Sequence, residues 1–187
     1  MNRTEGSKKM FMLALIGVFV LPVVLAKIAL DYNWFDRGST NKGELIQPVL
    51  NLAPVLNAQP PKWRLVYTVP AQCDAACENA IYSIHQVWLA LGKESDRAEA
   101  TVFLTEKSDR AMVSTLLTNN NIHTLQASEQ QIHETLNNEF KNKIFLVDTL
   151  NNAMLRYEVH NNKQQAVMAS RDILADVKKL LKLSRIG

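Results

Sequence analysis

Apolar and polar positions divide the chain into three regimes. From Met10 to Ala26 the residues MFMLALIGVFVLPVVLA form an uncharged run, and Ile28-Ala-Leu30 extends it past a single Lys27. About 20 such residues are enough to span a bilayer, and a lysine near the end of the span snorkels to the interface. Residues 1–9 are therefore expected as a tail and 10–30 as one transmembrane helix. From 31 to 61, short apolar runs such as Leu45-Ile46 and Val49–Leu52 are broken by glycine, proline and asparagine. That is the pattern of a connecting segment with short extended pieces. From Lys62 to Gly187 strand-like and helix-like periods alternate, as in one α/β domain.

Within that domain, Trp63–Val69 is rich in β-branched and aromatic residues and predicts a buried strand closed by Pro70. From Asp74, apolar residues recur at helical spacing (Ala76, Ala80, Ile81, Ile84, Val87, Trp88, Leu91) until Gly92 offers a stop. Ala100–Thr105 predicts a second strand. Ser108 is expected to cap a helix through Thr118, with Asn119–Asn121 as its end. Ile122–Leu125 predicts a short strand, and Ser128 with Gln131 is a capping-box pattern for a helix to Asn138. Lys143–Asp148 and Ala153–Val159 flank a turn at Asn151-Asn152 and predict a hairpin. Ser170 is expected to cap a last helix whose apolar face carries Ile173, Leu174, Val177, Leu180 and Leu181.

Charge adds an orientation. Arg3, Lys8 and Lys9 precede the apolar run against one Glu5, while Asp31, Asp36 and Arg37 follow it. The positive-inside rule then leaves the N-terminus in the cytoplasm and the rest exported, with Tyr32, Trp34 and Phe35 as an outer aromatic belt. In a bacterium this is a single-pass inner-membrane protein whose C-terminal domain faces the periplasm. A cleaved signal peptide is the other reading. The run is longer than a usual signal core, however, and no A-x-A site appears before Lys27. The chain has 187 residues, 47% of them hydrophobic, and a net charge of +3. Its basic residues are scattered, without the patch that a nucleic-acid partner would require. No Ser/His/Asp grouping, H-E-x-x-H pattern or glycine-rich phosphate loop is present, which leaves hydrolase and nucleotide-binding readings without support.

The chemistry rests on the two cysteines, Cys73 and Cys77. They fall where the first strand of the domain gives way to its first helix. Unpaired N–H groups at a helix N-terminus favour a thiolate, although Asp74 works against this. Residues four apart in regular helix hold their Cβ atoms roughly 5–6 Å apart, while a disulfide wants about 3.5–4.5 Å. An unstrained disulfide therefore places Cys73 off the helix, whereas two thiolates gripping a soft ion tolerate the wider gap. C-x3-C suits reversible oxidation or soft-metal binding. In an oxidising compartment a lone close pair is also open to a structural reading, a permanent disulfide. Of the four histidines, His85 lies about 12 Å along the helix axis from Cys77, too far to share an ion. His123 and His133 precede the hairpin and are weak candidates for a further ligand, and His160 ends a strand.

The order of strand, cysteine pair at a helix start, strand, helix, hairpin and terminal helix is that of the thioredoxin fold. More narrowly, the chain resembles the Sco/SenC family, membrane-anchored thioredoxin-like proteins that serve cytochrome c oxidase assembly. The residues that carry the resemblance are Asn41–Pro48, Thr68-Val-Pro-Ala-Gln-Cys73-Asp-Ala-Ala-Cys77, and Ile144–Asp148 followed by Leu155-Arg-Tyr157. It implies an α/β, thioredoxin-like domain behind one transmembrane helix, with Cys73 and Cys77 as redox or Cu(I)-binding residues. A cytochrome c oxidase subunit or another copper or thiol protein would be the partner. The family carries proline after each cysteine, where this chain has Asp74 and Glu78. Its histidine ligand falls in the stretch that here reads Asn138–Lys143, which contains no histidine. Two functions stay open: thiol–disulfide or Cu(I) handling in haem-copper oxidase biogenesis, with the pair as a thiol–disulfide oxidoreductase, or a non-catalytic scaffold with a permanent Cys73–Cys77 disulfide.

Overall fold

The structure is a computed structural model that describes residues 4–32, 40–118, 121–136 and 140–184. Trp34, Phe35, Asp36, Arg37, Asn119, Asn120 and Asn138 lie outside the described residues. Two compact units are present, Met1–Thr40 and Asn41–Gly187. The first holds one helix, α1 (Thr4–Asp31). Its segment Lys9–Asp31, 23 residues containing an 18-residue stretch of mean hydropathy 2.6, is long and apolar enough to cross a membrane. Pro22 lies inside the helix, a position that membrane-spanning helices tolerate.

The second unit runs β1 (Glu44–Asn51), α2 (Ala53–Leu56), β2 (Trp63–Thr68), α3 (Ala75–Ala90), a 3-10 turn (Gly92–Arg97), β3 (Ala98–Leu104), α4 (Arg110–Leu117), β4 (Ile122–Gln126), α5 (Glu129–Leu136), β5 (Lys143–Val147), β6 (Asn152–Glu158) and α6 (Lys163–Leu183). Its six strands form one sheet in the order β1-β6-β5-β2-β3-β4. β2, β3 and β4 run parallel, whereas β5 pairs antiparallel with β2 and β6 antiparallel with β5 and β1. Central β2 is buried along its whole length, as a strand covered on both faces must be.

The side-chain alternation of β2 and β3 sorts the core into two layers. On one face Leu65, Tyr67, Ala100 and Val102 meet Ile81, Ile84 and Val87 of α3, Val113 of α4 and Ile173, Val177 and Leu181 of α6. On the other face Val66, Phe103 and Phe145 meet Leu56 of α2 and Ile132 and Leu136 of α5. This is the mixed α/β sheet expected for a thioredoxin-like domain.

Three local expectations are corrected. The segment read as linker up to Pro61 supplies β1 and α2, so the compact unit starts at Asn41 rather than Lys62. Edge position explains how β1 accommodates Pro48, because a proline on an outer strand removes no ladder hydrogen bond. α6 starts at Lys163 and not at Ser170. Asn162 is its N-cap, accepting from the N–H groups of Gln164 and Gln165 at 2.9 and 3.1 Å, while the Ser170 hydroxyl donates to the carbonyl of Ala166 inside the helix. α4 is capped by Asp109 instead of Ser108. Other boundaries follow the expected pattern. The Ser128/Gln131 capping box closes reciprocally at 2.9 and 3.1 Å, and Gly92 ends α3 with φ +59°, a conformation glycine adopts without strain.

Candidate functional site: a disulfide between two aspartates

The site is assembled where β2 runs out. Beyond Thr68 the N–H of Val69 still bonds the carbonyl of Phe103 at 3.0 Å, which carries the strand direction as far as Pro70. The loop after β3 grips this end. Ser108 Oγ donates to the Val69 carbonyl at 2.7 Å and accepts from the Thr105 N–H at 2.9 Å, and the N–H of Asp109 donates to the Pro70 carbonyl at 3.0 Å.

Cys73 and Cys77 form a disulfide with their Cα atoms 5.1 Å apart. Cys73 precedes the N-cap residue Asp74 and Cys77 lies in the first turn of α3, the off-helix arrangement that the four-residue spacing requires. Cys73 is 9% exposed and Cys77 is fully buried, so Cys73 is the one a reagent can reach. Both belong to the core layer that contains Tyr67, Ala80 and Ile144.

Two carboxylates bracket the pair. Asp74 Oδ1 accepts from the N–H groups of Ala76 and Cys77, each at 3.1 Å. Asp109 Oδ2 accepts from the Cys73 N–H at 3.3 Å, while its Oδ1 caps α4 by accepting from Met112 at 3.1 Å. Beneath them lies Tyr67, fully buried, whose hydroxyl has no hydrogen-bond partner among the described residues. Burial pushes the Tyr67 hydroxyl far above the ordinary tyrosine range, and the nearby charge of Asp74 adds to the shift.

The histidines are dispersed. His123 on β4 is in register with Thr101, on the sheet face occupied by Phe103 and Leu125 and away from the disulfide. There its Nδ1 lies 4.0 Å from Glu99, whose Oε2 bonds the fully buried Arg64 at 3.0 Å. His133 is on α5, which packs on that same face, and its ring stands edge-on to Phe140 with centroids 6.2 Å apart. His85 stacks on Trp88 in α3, and its pKa is lowered by desolvation. The backbone carbonyl of His160 accepts from Asn79 Nδ2 at 2.9 Å. Among the described residues no group of three or more His, Cys, Asp or Glu side chains is arranged to hold a metal ion.

The sequence pattern singled out Cys73, Cys77 and Asp74 and missed Asp109 and Tyr67. Asp109 sits 36 residues from Cys73, and adjacent Ser108 and Asp109 both have cap chemistry. Tyr67 reads as an ordinary strand aromatic.

The fold and the cysteine pair at a helix start define a thioredoxin-like domain behind an apolar helix. A family model described as transmembrane-like, thioredoxin-like, C-terminal domain matches residues 63–184, and the chain belongs to that family. A search of curated protein sequences finds no match. Among solved structures, the chain is similar to apo Sco1 from Thermus thermophilus, with TM-score 0.56 and 13% identity over 77% of this chain and 99% of that one. It is also similar to BsSco, described as a Sco-family cytochrome c oxidase assembly protein with a disulfide switch. There the TM-score is 0.50, with 16% identity over 77% of this chain and 97% of that one. At these identities the likeness is one of fold.

Proposed function

We propose that the domain is held at a membrane by α1, faces the periplasm, and uses Cys73 and Cys77 as a dithiol/disulfide pair in haem-copper oxidase biogenesis. The observation that carries this reading is the disulfide at the N-terminus of α3, in which Cys73 keeps a slight exposure and Cys77 is fully buried. Such a pair exchanges with a partner disulfide through attack by the reachable thiolate, followed by displacement by the second. We assign the attacking role to Cys73. The oxidase connection rests on the Sco proteins that share the fold, above all the disulfide switch ascribed to BsSco.

Copper enters as cargo. Two thiolates are soft donors suited to Cu(I), and the aspartates beside them are hard donors that are not. The reduced pair is expected to take up one Cu(I) through sulfur alone. The partner would be an oxidase subunit or another copper or thiol protein. A second reading, a scaffold with a permanent disulfide, is favoured by one specific observation: carboxylates rather than cations flank the sulfurs.

The test is reduction of the detergent-solubilised protein followed by Cu(I) titration against a competing chelator. Stoichiometric Cu(I), lost in Cys73→Ser and Cys77→Ser, supports the copper reading. A pair that reduces in glutathione-strength buffers without binding Cu(I) supports exchange alone. A pair that stays oxidised below about −300 mV is the scaffold's signature.

A further inference from the structure

Along α6, Lys163, Val167, Arg171, Leu174 and Lys178 recur every three or four residues and so share one stripe of the helix. Between that stripe and α3 lies an open groove of about 200 Å³. Tyr82, Val87 and Ala90 of α3 line it, together with Val167, Arg171 and Leu174 of α6. Its floor is apolar and its rim is basic. Lys163 Nζ stands 5.5 Å from the centroid of the exposed Tyr82 ring, and Arg171 Nη1 donates to Met168 Sδ at 3.7 Å. Among the described residues, none of Lys163, Arg171 and Lys178 is in an ion pair.

The carboxylates of α6 stand elsewhere. Asp172 lines the cavities on the other flank of the helix, and Asp176 is buried against Gly43 and Tyr157. On α3, Glu78 lies one turn before Tyr82 and outside the groove lining. The groove is smaller than the roughly 300–1,000 Å³ of a small-molecule site, so it suits an apolar side chain of a larger partner. Its three cations follow one another about every two turns, or roughly 11 Å apart. A helix laid along the groove with an apolar stripe and carboxylates two turns apart would match both features, which is the helix-in-groove mode of peptide recognition.

We propose that the groove between α3 and α6 is a docking site for an acidic amphipathic helix of a partner protein, its apolar side chains entering between Tyr82, Val87 and Leu174 and its carboxylates meeting Lys163, Arg171 and Lys178. The groove begins at Tyr82, about 7.5 Å along the α3 axis from Cys77. Docking uses neither sulfur and does not depend on the thiol-exchange reading.

The experiment titrates the full-length chain in detergent against a fluorescein-labelled helical peptide of alanine, glutamate and leucine, about four turns long, and reads anisotropy. One control peptide carries lysine in place of glutamate, and another carries alanine in place of leucine. The glutamate–leucine peptide is expected to bind, both controls to bind at least about tenfold more weakly, and affinity to fall as salt rises. Arg171→Glu and Lys178→Glu should each weaken binding by roughly three- to tenfold, with Ala90→Glu, which sets a carboxylate in the groove, acting in the same direction. Lys141→Glu, in the loop before β5, should leave affinity unchanged. The altered residues are all exposed, and thermal unfolding within a few degrees of the parent shows that each variant is folded. No binding of the glutamate–leucine peptide, equal binding of either control peptide, or an affinity that Arg171→Glu, Lys178→Glu and Ala90→Glu leave unchanged overturns the proposal. So does a chain that ignores the peptides and instead binds short-chain phosphatidylglycerol through Arg171, because the groove would then serve lipid.

Discussion

The Tyr157 hydroxyl donates to Oδ2 of Asp176 at 3.0 Å, and that oxygen also accepts the Gly43 N–H at 2.8 Å. Asp176 is 2% exposed, and it takes the Lys42 N–H on both oxygens as well, at 3.0 and 2.9 Å. A buried carboxylate on α6 thereby ties the first residues of the compact unit to the sheet and its covering helix, across 134 positions of sequence. A Cβ on Gly43 would lie 2.5 Å from the Tyr157 ring, so the close approach itself requires glycine.

Removing that carboxylate strands three N–H or O–H donors. Asp176→Ala is expected to destabilise the domain by about 3 kcal/mol, since hydrogen bonds to charged groups each contribute roughly 1.5–3 kcal/mol and the donors on Gly43 and Tyr157 are buried. Gly43→Ala is expected to cost about 1–3 kcal/mol by overpacking. The two residues share one contact network, so the double variant should cost less than the two single losses together. Urea unfolding of the three variants checks both magnitudes and the coupling.

Stability should fall at both ends of the pH scale, for separate reasons. Tyr67 and Tyr157 have folded-state pKa values raised by burial, and Tyr157 also by Asp176. Their contribution is in place below the ordinary tyrosine pKa of about 10 and is lost above it, because the unfolded chain ionises first. On the acid side, Glu44 is lowered chiefly by its hydrogen bond to Arg156, and His85 is lowered by desolvation. Both favour the fold above their unfolded pKa values. The His85 contribution fades below about pH 6.5, and that of Glu44 follows as pH falls through the ordinary glutamate range. Melting temperature against pH should show both limbs. Salt should weaken the Glu44 part, which is solvent-exposed.

Tyr67 offers a sharper test of the site. Its hydroxyl is buried without a partner among the described residues, and an unpaired buried hydroxyl costs about 1–3 kcal/mol. Tyr67→Phe is therefore expected to leave stability unchanged or raise it by about 1 kcal/mol, and to flatten part of the alkaline limb. A loss of more than about 1 kcal/mol in chemical denaturation would show that the hydroxyl makes a favourable bond.

Much of this arrangement was legible from local pattern. β2 announces itself as a run rich in β-branched and aromatic residues, and Cys73 falls off α3 because a capping aspartate follows it. Ser170 misled because it has cap chemistry in the middle of α6, whose first turns, Lys163–Ala169, open on three polar residues and bury only Ala166. Pro48 made β1 look like linker, since only its place at the sheet edge permits a proline there. The contacts that define the site's electrostatics, Asp109 to Cys73 above all, join distant segments and leave no periodic trace. Chain topology creates them.

Copper binding separates the candidate ligands. His123 and His133 lie with the sheet face opposite the disulfide, the first beside Glu99 and the second against Phe140, and the stretch 137–139 lies outside the described residues. With the two thiolates as the donors, reduced protein is expected to bind one Cu(I). Cu(II), which prefers nitrogen and oxygen donors, should be held poorly. His123→Ala, His133→Ala and His85→Ala should each leave Cu(I) stoichiometry unchanged and affinity within about threefold, because losing a group that orients a metal ligand costs about 10–100-fold and none of these rings is placed beside Cys73 or Cys77. The measurement is Cu(I) competition with a chromophoric chelator, alongside Cu(II) titration followed by visible absorption and electron paramagnetic resonance. A thiolate-to-Cu(II) charge-transfer band lost in His133→Ala would show that α5 moves to bring a nitrogen to Cys73 and Cys77. A band that survives all three histidine changes would require a nitrogen or oxygen ligand from elsewhere, with Asp109, already bonded to the Cys73 N–H, as the first residue to substitute.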